Sequence, residues 1–228
     1  MTATDDFLRA DGPLHFLNHN ILTISLGDST RETVAADRTR RFRLQDTTVL
    51  ARGGHFHWYN KKMPVYLLTQ DPDGPIDAFL LGFKANDAVG SILSNMSDTP
   101  RYMFTVTMNS CSLGFAQPDG AHGCYVSHHN LQNQGNDSGL MEQQDPQFVD
   151  GQRPDLSFVH RDAYMRDATD THNSQYRSTT IGWRDANGIW RFYMQKRKYH
   201  GQLLGGTNNN FSFKGVVQVN PAWVPPDV

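Results

Sequence analysis

Between Arg101 and Asn130 the chain spells two strands and the turn that joins them, and this stretch constrains the fold more than any other. Tyr102 to Met108 is rich in aromatic and β-branched residues, a strand signature. It runs through Asn109-Ser110-Cys111 into the apolar run Leu113 to Ala116. Gln117-Pro118-Asp119-Gly120 marks the turn, because Pro pre-sets φ and Gly accepts a positive φ. The chain returns through Cys124-Tyr125-Val126-Ser127 to His128-His129. A thiol at the end of one strand and an imidazole on the returning one can meet across a sheet. A cysteine nucleophile and its general base require that geometry.

The rest of the chain repeats the theme of short strands and turns. Strand patterns fall at His15–Leu26, Arg41–Leu44, Thr47–Ala51, His55–Tyr59, Val65–Thr69, Ile76–Phe83, Ser178–Trp183, Gly188–Gln195 and Phe211–Val219. Asp71-Pro72-Asp73-Gly74-Pro75 and Asp185-Ala186-Asn187-Gly188 are turns, the second making a hairpin of its flanking strands. Helices are expected around Asp6–Arg9, in one stretch of the polar Gly27–Thr39 turn and over Asp87–Met96, the last capped by Asn86 or Asp87. Phe158–Arg166 suits a helix or a strand, and Leu131–Pro154 is polar enough for a long loop. The expected fold is α+β: a β-rich sandwich of two packed mixed sheets with peripheral helices and long loops. With no repeat or composition break, residues 1–228 read as a single catalytic domain.

A formal charge of −2 offers no footprint for nucleic acid or an anionic membrane. No apolar run reaches the ~20 residues that span a bilayer. The N-terminus lacks the basic and apolar regions of a Sec-type signal peptide, so the expected starting compartment is the cytoplasm of the cell that makes it. His55 and His57 share a face in a strand, but the Trp58-Tyr59-Asn60 that follows gives no third ligand, and no metal or cofactor is expected. Arg191, Lys196, Arg197 and Lys198 lie among aromatics, a pattern that suits a solvated strand end or a docking patch for an acidic partner. No phosphate loop, GxSxG elbow or HExxH helix is present, which leaves Cys111 as the nucleophile candidate.

These residues resemble the bacterial glutamine-deamidating toxins, the family of cytotoxic necrotizing factor and Burkholderia lethal factor. The family signature is a Leu-Ser-Gly-Cys strand end followed by a catalytic His on a neighbouring strand, and Met108-Asn109-Ser110-Cys111 stands in its place. Asn109-Ser110 replaces the signature Ser-Gly, and the Cys–His gap is longer than in the lethal factor. Thr105, six residues before Cys111, matches a family Thr, and Val126-Ser127-His128-His129-Asn130 matches the strand that ends in the His, favouring His128 over His129. The Thr179-Thr180-Ile181-Gly182 strand and the hairpin to Gln195 also look like later strands of the lethal factor. The resemblance implies deamidation of a host-protein glutamine, with Cys111 as nucleophile, His128 as base and Thr105 orienting the imidazole. It implies action in the host cytoplasm by a monomer, on a Rho-type GTPase or a translation-initiation RNA helicase.

Two other readings use the same residues. A Cys–His protease or transglutaminase needs a third group to orient the imidazole, for which Asn130 and Asp119 are candidates. A non-enzymatic β-sandwich module would carry Cys111 and Cys124 as a disulfide or as two buried thiols.

Overall fold

The Asp-Ala-Asn-Gly turn at 185–188 closes a long hairpin. In a computed structural model that describes residues 2–25, 38–53, 61–83, 87–108, 111–116, 123–130, 157–160, 176–199 and 211–219, β10 (Tyr176–Arg184) pairs antiparallel with β11 (Trp190–Tyr199). Gly188 takes a φ of +80° and donates its N–H to the Asp185 carbonyl at 3.1 Å. That left-handed backbone favours glycine, which has no Cβ to clash. The Asp185 carboxylate accepts the N–H groups of Asn187 and Ile189 and pairs with Arg191 at 3.0 Å.

This hairpin lies in an eight-stranded sheet with β1 (Ile21–Ser25), β2 (Arg38–Gly53), β3 (Lys61–Gln70), β4 (Ile76–Leu81), β6 (Tyr102–Thr105) and β12 (Phe211–Gln218). The order is β1-β3-β2-β12-β11-β10-β6-β4, and β2 also pairs with β4, so the sheet curls into a nearly closed, barrel-like ring. Its pairing is mixed, parallel in β1–β3, β4–β6 and β12–β2. The second sheet holds β5 (Asp87–Leu93), β7 (Ser112–Phe115), β8 (Cys124–Asn130) and β9 (Ser157–Val159) in the order β5-β8-β7-β9. Every pair in it is antiparallel, so the expected mixing holds for the larger sheet alone. The β-rich expectation is met, with two short helices beside the strands. Neither α1 (Ala3–Phe7) nor α2 (Leu14–His19), nor any other helix among the described residues, is long and apolar enough to cross a membrane.

Three local expectations change. Asp87–Met96 forms β5, not a helix. Val89, Gly90 and Ile92 are poor helix formers, and pairing with β8 satisfies their backbone. Gly90 is needed there because a Cβ would stand 2.2 Å from the Tyr125 hydroxyl. His15–Leu26 begins as α2 and becomes a strand only at Ile21. Phe16 and Leu17 are buried on that helix, Phe16 edge-on to Phe7 at 5.4 Å, and Asn20 ends it by donating to the Phe16 carbonyl. The two strands read at Arg41–Leu44 and Thr47–Ala51 are one strand, β2, whose register slips between Asp46 and Leu50 where Thr48 takes a φ of 57°. Asn109, Ser110, the Pro118 turn, residues 131–154 and the His55–Tyr59 pattern lie outside the described residues.

Alternation along β6 separates two apolar clusters. Tyr102 and Phe104 enter one with Phe7, Phe16, Ile181 and Trp183. Met103 enters the other, which joins Phe192, Met194 and Met108 to Leu113, Phe115, Val126 and Cys111 of the smaller sheet's strands and their approach. Each fully buried Phe or Leu in such a cluster contributes about 1.5–3 kcal/mol. The second cluster is where the candidate site lies.

Candidate active site

The period of two along a strand decides which side chains can meet. On β8, Cys124 and Val126 enter the second cluster, so His128 and Asn130 share their face while Tyr125, Ser127 and His129 take the opposite one. Cys111, one residue before β7, enters the same cluster as Leu113 and Phe115 of that strand. Leu113 is registered with His128, and that register carried back past the start of β7 would set Cys111 diagonally across from His128 on the shared face. Diagonal neighbours lie about 7–8 Å apart, a span that an imidazole and a thiol can close. Cys111 retains 6% exposure and His128 none.

His128 is a buried imidazole with neither ring nitrogen hydrogen-bonded. Its ring lies 6.0 Å from that of Phe83, tilted by 42°. Burial, and secondarily the neighbouring His129, push its pKa from 6.5 down to about 4, while the Gly82 backbone pulls weakly the other way without reaching hydrogen-bond geometry. The ring is therefore neutral at neutral pH, and its burial makes it a weaker base than a solvated imidazole.

Thr105 is fully buried at the end of β6, on the Met103 side that faces the second cluster. Its hydroxyl accepts the Thr180 N–H at 3.2 Å and makes no hydrogen bond to His128. Asn130, also on the His128 face, occupies the position that the β7–β8 register extends opposite Cys111, and it too leaves the imidazole unbonded. Asp119 lies outside the described residues.

Both cysteines are thiols, which removes the disulfide from the binding-module reading. Cys124 donates its S–H to the Ala116 carbonyl at 2.9 Å. On the opposite face of the small sheet, Ser127 Oγ and His129 Nε2 are 2.8 Å apart, and Ser112 Oγ lies 3.3 Å from His160 Nδ1. Phe158 packs edge-on to His129 and stacks on His160. Gly114 sits between them because a Cβ there would stand 2.4 Å from Ser127 Oγ. His129 is thus committed to a polar cluster on the face away from Cys111.

The basic run divides between the two faces of β11. Arg191 pairs with Asp185, and Lys198 stands 5.5 Å over the Tyr176 ring. Arg197 is fully buried and donates to the Leu22 carbonyl and the Thr179 hydroxyl. His55 and His57 lie outside the described residues.

Two residues near the site carry no motif. Ser178 and Thr180 of β10 are fully buried, with hydroxyl oxygens that have no partner. In the sequence they are ordinary strand residues, and the Ser178-Thr179-Thr180 run was the one available signal. No protein-family model matches the chain, and no curated protein matches it significantly by sequence.

Proposed function

We propose that Cys111 and His128 are the nucleophile and base of a protein-glutamine deamidase. The observation that supports this reading is strand alternation: Cys111 enters the apolar cluster that lies on the His128 face of β8, the β7–β8 register carried back one residue sets it diagonal to His128, and His129 occupies the other face. Neutral His128 takes the Cys111 thiol proton, and the sulfur attacks the glutamine side-chain carbonyl carbon. Backbone N–H groups near Ser110 and Cys111 in the sequence are the natural donors to the oxyanion. Protonated His128 returns its proton to the departing nitrogen, releasing ammonia and leaving a thioester. Water, deprotonated by His128, then attacks the thioester, frees the thiol and leaves glutamate. An uncharged side chain becomes an anion, a change large enough to lock or disable the protein that carries it.

The resemblance supplies the setting. The substrate is a host protein, with a Rho-type GTPase or a translation-initiation RNA helicase as candidates, and the site of action is the host cytoplasm. We read the two sheets as layers of one sandwich, with Cys111 and His128 on the smaller sheet's face toward the larger. A protease or transglutaminase with an oriented imidazole is the weaker enzymatic reading, because among the described residues no third side chain holds the imidazole. Thr105 has an orienting role only if its hydroxyl turns to His128 once substrate is bound.

One observation favours a non-enzymatic β module: Cys111 and His128 are both buried, as inert core residues are. Incubating eukaryotic lysate with the protein and with Cys111→Ala, then mapping Gln-to-Glu changes by mass spectrometry, separates the two. A change that depends on Cys111 is the expected result. Identical maps from the two proteins support the module.

A further inference from the structure

A buried hydroxyl or imidazole without a partner costs about 1–3 kcal/mol, and native structures keep few of them. Four such atoms belong to three residues on strand faces that border the second cluster: Ser178 Oγ, Thr180 Oγ1 and both ring nitrogens of His128. All three residues have zero exposure. Alternation along β10 puts Ser178 and Thr180 on the face of Gly182, where a Cβ would meet Phe192 and Met103 of the cluster that holds Cys111. Thr180 is registered with Met194 of the same cluster, and its N–H donates to Thr105. Ser178 forms a two-way backbone bridge with Met108, which stands three residues before Cys111 in sequence. The charged residue nearest by register is Lys196, opposite Ser178, which is partly exposed and has interactions of its own.

We propose that Ser178 and Thr180 are the residues that bind a primary carboxamide presented to Cys111, an assignment that rests on the Cys111–His128 reading. A carboxamide offers one acceptor oxygen and two N–H donors, and each hydroxyl can both donate and accept. Ser178, Thr180 and neutral His128 therefore match both ends of the amide without introducing charge. A carboxylate of the same size offers acceptors only, and it gives up more hydration on entering a buried, neutral setting. The preference is for the neutral amide over the acid that deamidation produces. It also explains why the hydroxyls are kept on a strand face that otherwise packs methionine and phenylalanine.

The test is protection of the Cys111 thiol. The full-length protein is treated with methyl methanethiosulfonate in the presence of propionamide or propionate, and modification of Cys111 and Cys124 is followed separately by peptide mass spectrometry. Propionamide is expected to slow modification of Cys111 and propionate is not. Protection is expected to weaken about tenfold, the worth of one hydrogen bond, in Ser178→Ala and in Thr180→Val, and to persist in Thr180→Ser. Equal protection by amide and acid, or protection undiminished in Ser178→Ala and Thr180→Val, overturns the assignment. A Cys111 that reacts faster than Cys124 but gains no protection overturns the carboxamide site and leaves the nucleophile standing. A Cys111 no faster than Cys124 removes both.

Discussion

The two faces of the smaller sheet treat neighbouring histidines in opposite ways. On the outer face His129 shares a hydrogen bond with Ser127, packs against Phe158 and lies beside the Ser112–His160 pair. On the face that Cys124 and Val126 share, His128 is as deeply buried, with its ring near that of Phe83 and both nitrogens unmet. One residue of displacement along a strand separates a satisfied imidazole from an unsatisfied one. Polar groups that pair with each other stabilise a sheet, whereas polar groups kept unpaired persist at a cost and are better explained by chemistry than by stability.

The largest effect expected from breaking this contrast is on activity. His128→Asn should lower Cys111-dependent deamidation by about 10²–10⁴-fold, the usual contribution of a general base. His129→Asn should change it far less. Initial rates on the modified glutamine, once mapped, check both variants.

Next in size is acid sensitivity. Below an unfolded-state pKa near 6.5 the unfolded chain takes up a proton at His128, whereas the folded chain resists protonation until about pH 4. Stability is therefore full above about pH 6.5 and falls as the pH drops through that window, by a total on the order of 3 kcal/mol. His128→Leu should flatten this part of the stability–pH curve, as read by urea unfolding at pH 7 and pH 4.5.

The outer face is tested by Gly114→Ala, whose Cβ would press on Ser127 Oγ at 2.4 Å and on Phe158 at 3.0 Å. Overpacking of this kind costs about 1–3 kcal/mol, and denaturant midpoints should record it. The smallest effect is expected for Thr105→Val, which removes the acceptor for the Thr180 N–H and costs about 1 kcal/mol. If Thr105 also positions His128 during the reaction, kcat should fall with KM unchanged, and Thr105→Ser should restore it.

Much of this arrangement was legible from local chemistry. Asp185 and Gly188 announce a turn whatever surrounds them, and the alternation of β6 and β8 follows from residue type. Cys111 stood out as a nucleophile candidate on its own, whereas the choice of His128 over His129 came from the family resemblance. What remained hidden depends on distant partners. Gly90 and Ile92 form a strand only because β8 offers them a ladder, and Phe16 belongs to a helix because Phe7 packs against it. The closing of the larger sheet through β2 and β4 joins residues far apart in the chain. Ser178 and Thr180 carry no signal of their own, because isolation of a hydroxyl is a property of its neighbours.

The most direct test of the shared-face pairing is the rate at which iodoacetamide modifies Cys111, compared among wild type, His128→Asn and His129→Asn, with Cys124 as the internal reference. The account expects Cys111 to react faster than Cys124 in wild type, to lose that advantage in His128→Asn and to keep it in His129→Asn. Equal rates for the two thiols in wild type, or loss of the advantage in His129→Asn with retention in His128→Asn, would contradict it.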